Sequence, residues 1–79
     1  MDNKKKNDYS AIVFLDNEKT VKKWEFVHKL NGFSMFLEKS HPTWDYMNVY
    51  ERRTRKYLKR FKKGDFIPPF LCFLFFFNL

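Results

Sequence analysis

The stretch from Thr43 to Lys63, TWDYMNVYERRTRKYLKRFKK, most constrains what this chain can fold into. It contains neither glycine nor proline, so no residue in it obviously interrupts a regular element. At the turn of an α-helix, about 100° per residue, its apolar and neutral residues gather within one arc of the helical wheel. These residues are Met47, Tyr50, Thr54, Tyr57, Leu58 and Phe61. The pattern predicts one long amphipathic helix, with one face buried.

The opposite face of this predicted helix is basic. It carries eight of the sixteen Lys and Arg residues of the chain and no acid: Arg52, Arg53, Arg55, Lys56, Lys59, Arg60, Lys62 and Lys63. Cations that neutralise DNA phosphates release counterions, and arginine or lysine can also bridge guanine in the major groove. We therefore predict that these eight residues bind nucleic acid, the lysines at phosphates and the arginines at bases. The alternative is a solvated face of a basic protein.

Two shorter helices are predicted before this stretch. Asp16-Asn17 offers N-cap side chains for a first helix over Glu18–Leu30, in which apolar residues recur every three positions. Asn31-Gly32 would end it, because both residues tolerate the left-handed conformation that closes helices. A second helix is predicted over Met35–Ser40, and Pro42 follows it as a terminator. Trp24 and Trp44 are predicted to be core aromatics.

The two ends of the chain differ from this helical middle. Residues 1–8 are polar, and Tyr9–Leu15 is a β-branched and aromatic run that predicts either a strand or an extended arm. Residues 65–79 are apolar and are interrupted by Pro68-Pro69. The apolar run is shorter than the roughly twenty residues of a spanning helix, so it would cover the core, dip into a membrane interface, or end a shortened reading frame. The predicted organisation is a polar tail and short extended segment at 1–15, a three-helix domain at 16–64 and a proline-interrupted apolar tail at 65–79.

Composition excludes several classes of function. The chain has 79 residues and a formal net charge of +7, which predicts attraction to polyanions. A single cysteine, Cys72, excludes an internal disulfide and suits a reducing compartment, and its apolar neighbours predict an unreactive thiol. Two histidines without ligand spacing predict no metal site. Neither a glycine-rich phosphate loop nor a catalytic motif is present, so we predict no enzyme, cofactor or small-molecule substrate.

Residues 18–61 resemble a Myb/SANT-type repeat. The resemblance rests on an apolar first helix ending near Asn31-Gly32, then Trp44-x-x-Met47, Arg53-Thr54 and Tyr57-Leu58-x-Arg60-Phe61. The same region is also similar to the MADF-type and nematode SPK-type domains. The resemblance implies a three-helix DNA-binding or protein-interaction domain, with a recognition helix over 53–61 if the chain turns near 50–53.

This sequence departs from the Myb/SANT pattern in three places. FSMFLEKS is extra between the first helix and Trp44, Phe61 stands where the third tryptophan is expected, and no glycine separates the second and third helices. The uninterrupted wheel favours one continuous helix, although the wheel alone does not decide between one helix and two.

Taken together, the sequence predicts an all-α protein: a small three-helix bundle with a short N-terminal extended segment and an aromatic C-terminal tail. The predicted function is non-enzymatic nucleic-acid binding in the nucleus, to DNA rather than RNA, through the basic face of residues 43–63. Two alternatives remain: a membrane-surface protein that uses the basic helix and the Phe-rich tail on anionic lipid, and a SANT-like module that binds an acidic protein.

Overall fold

A computed structural model, which describes residues 8–71, shows a four-stranded antiparallel sheet and one helix. The elements follow the chain as β1 (Tyr9–Leu15), β2 (Thr20–Val27), α1 (Leu30–Ser40), β3 (Trp44–Glu51) and β4 (Tyr57–Lys62). The order of strands across the sheet is β2-β1-β3-β4, so β2 and β4 are the edges. The all-α prediction is therefore wrong.

Strand β1 lies at the centre of the sheet. Its sequence alternates in burial, with Tyr9, Ala11, Val13 and Leu15 all buried and the residues between them half-buried. It pairs with β2 on one side and with β3 on the other. Of the two alternatives predicted for Tyr9–Leu15, a strand or an extended arm, the structure shows the strand, and its partner strands lie in segments predicted to be helical.

The first predicted helix, over Glu18–Leu30, is wrong because Asp16-Asn17 forms a hairpin turn rather than a helix N-cap. Asp16, Asn17 and Glu18 have φ angles of 54°, 59° and 70°, and the Lys19 amide donates to the Asp16 carbonyl at 3.2 Å. Positive φ angles at both central residues are typical of the tight hairpin turns whose backbone twist matches that of the two strands they join. The following TVKKWEFV is rich in β-branched and aromatic residues and forms β2.

Helix α1 begins earlier than the predicted second helix. It spans Leu30–Ser40, so Asn31-Gly32 lies within its first turn instead of ending a helix. Its N-cap is Lys29, which makes no side-chain capping bond, and within the first turns the Ser34 hydroxyl donates to the Asn31 carbonyl at 2.7 Å. The predicted end near Pro42 is close to the observed end at Ser40.

The prediction of a long helix over residues 43–63 is also wrong, and residues 53–61 do not form a recognition helix. Trp44–Glu51 and Tyr57–Lys62 are strands of one hairpin, joined by a turn at residues 52–56. In β3, Met47 and Val49 are buried under α1 while Tyr46 and Tyr50 point to the other side. The period-two alternation of this strand was hidden because Met47 and Tyr50 also share one face of a helical wheel.

The core fills the space between the sheet and α1. Its most completely buried large side chains are Trp44, Phe61, Leu30, Leu37 and Met47. Trp24 packs against this core at its margin, so both tryptophans are core aromatics as predicted. Segment 64–71 closes the same side of the sheet, where Ile67 is buried and the Leu30 amide donates to the Pro69 carbonyl at 2.8 Å.

Several predictions concern residues outside the described range. They are the polar character of residues 1–7, the unreactive thiol of Cys72 and the behaviour of the apolar tail over 72–79. Within residues 8–71, no helix has the length and apolar character that crossing a bilayer requires.

Candidate nucleic-acid interface

The sheet has a second face, opposite α1, that no segment among residues 8–71 packs over. We call it the open face. Strand register places its residues in three rows across the sheet, two that run from β2 through β1 and β3 to β4 and one that begins at β1. The rows are Val21, Phe14, Tyr46 and Lys62; then Lys23, Ile12, Asn48 and Arg60; then Ser10, Tyr50 and Tyr57. Four aromatic residues thus share the open face with three cations: Phe14, Tyr46, Tyr50 and Tyr57, and Lys23, Arg60 and Lys62.

Aromatic side chains of neighbouring strands contact one another on the open face. Phe14 and Tyr46, which face each other across β1 and β3, stack with their ring centroids 4.6 Å apart and an interplanar angle of 20°. The Arg60 guanidinium continues this stack, with its Cζ atom 4.4 Å from the Tyr46 centroid. We call Phe14, Tyr46 and Arg60 the stacked column. Farther along the sheet, Tyr50 and Tyr57 meet edge to face at 5.6 Å.

A groove of about 200 Å³ lies on the open face beside the Tyr50–Tyr57 pair. Its lining combines apolar strand residues with three cations and one acid: Ser10, Ile12, Lys23, Glu25, Tyr50, Arg52 and Arg55. The Lys23 ammonium lies 3.2 Å from the Glu25 carboxylate, which offsets part of the charge. Arg52 also covers the exposed ring of Phe26, with its Cζ atom 5.1 Å from the ring centroid. We call this cavity the basic groove.

The structure brings together only part of the predicted basic face. Arg52 and Arg55 line the basic groove, while Arg60 and Lys62 lie on the open face opposite Asn48 and Tyr46. These four predicted site residues share one surface, although a sheet and not a helix assembles it.

The other four predicted residues have different surroundings. Arg53 lies 3.6 Å from the Asp8 carboxylate, and the Lys56 carbonyl accepts from the Glu51 amide to close the β3–β4 turn. Lys59 lies over the buried ring of Phe61, on the side of the sheet that carries α1. The single predicted face is therefore divided between the two sides of the sheet.

Lys63 is held on the helix side by hydrogen bonds. Its ammonium donates to Glu38 Oε1 at 2.9 Å and to the Pro42 carbonyl at 2.8 Å. The bond from Lys63, together with one from the Trp44 indole at 3.1 Å, lowers the pKa of the Glu38 carboxyl below its ordinary value. Lys63 thus joins β4 to α1 and is not part of the open face.

In a larger concavity of about 440 Å³, beside the β1–β2 turn, several of the polar groups are hydrogen-bonded within the fold. The Thr43 hydroxyl donates to Asp16 Oδ1, and the Glu18 amide donates to Asp45 Oδ2 at 3.1 Å. These bonds fasten the turn to the start of β3, so this concavity has a structural explanation. Among the described residues, no group of three or more histidine, cysteine or acidic side chains is placed to hold a metal ion.

Sequence reasoning missed the aromatic part of the open face. Phe14, Asn48 and Lys23 were not among the predicted binding residues. The helical wheel favours core packing for Tyr46 and Tyr50, with contact to a sugar or phosphate as the alternative. The signal was present as the alternation Tyr46, Asn48, Tyr50 between the apolar positions Met47 and Val49. Read with a period of two, it places polar and aromatic side chains together on one side of a strand.

Comparison with protein-family models, with curated proteins and with solved structures finds no significant match to this chain. The resemblance to Myb/SANT-type repeats therefore stays a prediction from short motifs, and the three-helix fold that it implied is not the fold of the chain.

Proposed function

We propose that this protein binds single-stranded nucleic acid on the open face of its sheet. The observation that carries the proposal is the joint presentation of stacked aromatic rings and cations on one uncovered sheet face. Unpaired bases stack on aromatic rings and on arginine planes, while cations in the same groove follow the phosphates.

The charges on the open face suit a polyanion. Five cations lie there or in the basic groove: Lys23, Arg52, Arg55, Arg60 and Lys62. The acid that lines the groove, Glu25, is already paired with Lys23. Because charges of mixed sign are normal on a soluble surface, this excess favours a negatively charged ligand.

The shape of the face favours a single strand over a duplex. The bases of a duplex are stacked on each other, so their faces cannot reach the rings of Tyr46, Tyr50 or Tyr57. The face of a four-stranded sheet also cannot enter a major groove as the predicted helix would have done, because that groove admits a helix or a two-stranded ribbon. We therefore replace the helix-in-groove mechanism predicted from the sequence with stacking on a sheet.

The first test is the affinity of the full chain for fluorescently labelled oligonucleotides as a function of salt. We expect binding to single-stranded DNA or RNA to weaken linearly on a log–log plot, with a slope of about −0.7 for each phosphate contacted. Three to five contacts would give a slope of roughly −2 to −3.5. A duplex of the same sequence should bind more weakly at every salt concentration.

Two lysine substitutions provide a matched comparison. Lys62→Ala removes a cation from the open face, and Lys39→Ala removes one from the last turn of α1 on the other side of the sheet. We expect Lys62→Ala to make the salt slope shallower by about 0.7, and Lys39→Ala to leave it nearly unchanged. Equal effects of the two variants, or absence of binding at low salt, would contradict the proposal.

The membrane-surface alternative can be tested with the same proteins. Vesicles of anionic lipid attract cations at about 1 kcal/mol each, without any need for stacked rings. If the chain sediments with such vesicles but does not bind single strands, the open face is an electrostatic surface for lipid and the nucleic-acid proposal is wrong.

A further inference from the structure

The strongest unexplained detail of the open face is the fixed position of Arg60 at the end of the stacked column. Its Nε–H donates to Asn48 Oδ1 at 2.9 Å, and Asn48 is its partner in the β3–β4 register. At the same time its guanidinium lies over Tyr46. The hydrogen bond to Asn48 and the contact with the Tyr46 ring together restrict both the position and the tilt of the Arg60 guanidinium.

An exposed arginine does not need this arrangement to be soluble. No carboxylate among residues 8–71 pairs with Arg60, so the position of the guanidinium is set by neutral groups, an amide and a ring. A flexible cation used only for charge would lose side-chain entropy in such a position. The arrangement therefore indicates a use for the planar face of the guanidinium in addition to its charge.

Arg60 remains exposed despite these contacts, because it lies at an edge of the sheet. Phe14 and Tyr46 lie on the β1 and β3 side of the guanidinium, whereas β4 is an edge strand with no further strand beyond it. Lys62 follows two residues later on the same face of β4, opposite Tyr46. A flat ligand with an attached anion would thus find a stacking surface at Arg60 and a cation beside it.

We infer that Arg60 is a base-stacking residue, and that one nucleobase of a bound single strand extends the stacked column at the β4 edge, with an adjoining phosphate at Lys62. This inference rests on the proposed function and adds a defined base subsite to it. Asn48 acts as a positioning residue, because it holds the guanidinium and does not touch the base.

The experiment compares Arg60→Lys with Arg53→Lys in binding to an oligonucleotide that carries a 2-aminopurine base at successive positions. Both substitutions keep the charge and remove a guanidinium plane, but Arg53 lies against Asp8 and away from the column. The fluorescence of 2-aminopurine falls when the base stacks, so it reports stacking independently of affinity.

We expect wild-type protein and Arg53→Lys to quench 2-aminopurine at one position of the strand. Arg60→Lys should lose that quench and bind about tenfold more weakly, the size of one lost stacked base, with an unchanged salt slope because its charge is kept. Asn48→Ala should give a smaller loss of both quench and affinity. Circular dichroism and thermal unfolding verify that each variant is folded.

The outcomes separate the inference from the proposed function. If Arg60→Lys binds and quenches like wild-type protein, the subsite is wrong while single-strand binding stands. A wild-type chain that binds no oligonucleotide overturns both.

Discussion

At the scale of single residues, Arg55 combines an unfavourable backbone with a place in the basic groove. Its φ angle is 63°, in the left-handed region that a residue with a Cβ atom seldom occupies. Its amide donates to the Glu51 carbonyl at 2.7 Å, which closes the β3–β4 turn. Glycine or asparagine would fit this position with less strain, so arginine here is explained by its side chain, which lines the groove.

We expect Arg55→Gly to stabilise the fold and weaken single-strand binding. Removing the Cβ atom relieves the left-handed backbone and should raise the free energy of unfolding by about 0.5–1 kcal/mol. The lost cation should reduce affinity several-fold and make the salt slope shallower by about 0.7. Urea unfolding and oligonucleotide titration measure the two effects.

Arg53→Gly is the control for this substitution. Arg53 lies in the same turn but does not have a positive φ angle, so glycine there relieves no strain. Its free energy of unfolding should stay the same or fall. A gain in stability of equal size in both variants would show that the effect has nothing to do with the backbone of Arg55.

At the scale of elements, the start of α1 distinguishes the observed fold from the one expected from sequence. Gly32 lies in the first turn of the helix, without a positive φ angle, and a Cβ atom there would meet Lys29 Cβ at an ordinary 3.9 Å. Gly64, after β4, has a φ angle of +94° and open space around it. The two glycines therefore differ in both backbone geometry and structural role.

We expect the two Gly→Ala substitutions to change stability in opposite directions. Gly32→Ala should raise the free energy of unfolding by about 0.5–1 kcal/mol, because alanine favours a helix and restricts the unfolded chain. Gly64→Ala should lower it by about 1 kcal/mol, because alanine is strained at that φ angle. Chemical denaturation of both variants gives the comparison, and destabilisation by Gly32→Ala would mean that Asn31-Gly32 ends a helix after all.

The turns explain why strand β1 and the end of α1 were predictable while the remaining elements were not. Tyr9–Leu15 is a run of β-branched and aromatic residues, which is typical of a strand, and Pro42 marks the end of α1. The β3–β4 turn, by contrast, contains no glycine or proline, because Arg55 takes the left-handed position that those signals would announce. Without a visible break, the residues on either side of it matched a continuous helical wheel.

The candidate site, too, was only partly predictable from the sequence. Of the eight basic side chains singled out from the sequence, Arg52, Arg55, Arg60 and Lys62 share one face. Their aromatic neighbours depend on pairing between strands that are distant in the sequence. Phe14 meets Tyr46 only because β1 pairs with β3, and no local pattern shows that register.

At the scale of the whole molecule, Tyr9 ties the central strand to the segment that follows β4. Its phenol oxygen accepts a hydrogen bond from the Leu71 amide at 2.9 Å, and its ring stacks on Phe70 with a centroid distance of 6.5 Å. Burial raises the pKa of the Tyr9 phenol above its ordinary value. The neutral form is thus the one that the folded chain favours.

This shift predicts a loss of stability at alkaline pH. A group whose pKa is higher in the folded state stabilises the fold below the pKa of the unfolded state, here about 10, and that contribution is lost as the pH rises through the folded value. We expect the free energy of unfolding to fall above about pH 10 more steeply in wild-type protein than in Tyr9→Phe.

At neutral pH, Tyr9→Phe should be less stable by about 1 kcal/mol, since the Leu71 amide loses its acceptor. Denaturant titrations at pH 7, 9, 10 and 11 follow both effects, and lysine deprotonation is common to both proteins. Parallel pH profiles would show that the Tyr9 phenol does not contribute.

The central position of β1 also has a kinetic consequence. Each outer strand is joined to its neighbour by a short turn, so the β1–β2 and β3–β4 hairpins involve only local contacts. The β1–β3 ladder instead pairs Leu15 with Trp44 and Tyr9 with Glu51, across the whole of β2 and α1. Closing so long a loop is entropically unfavourable and slow compared with hairpin formation. We therefore expect the joining of the two hairpins to limit the rate at which this chain folds, and the same event would align Phe14 with Tyr46.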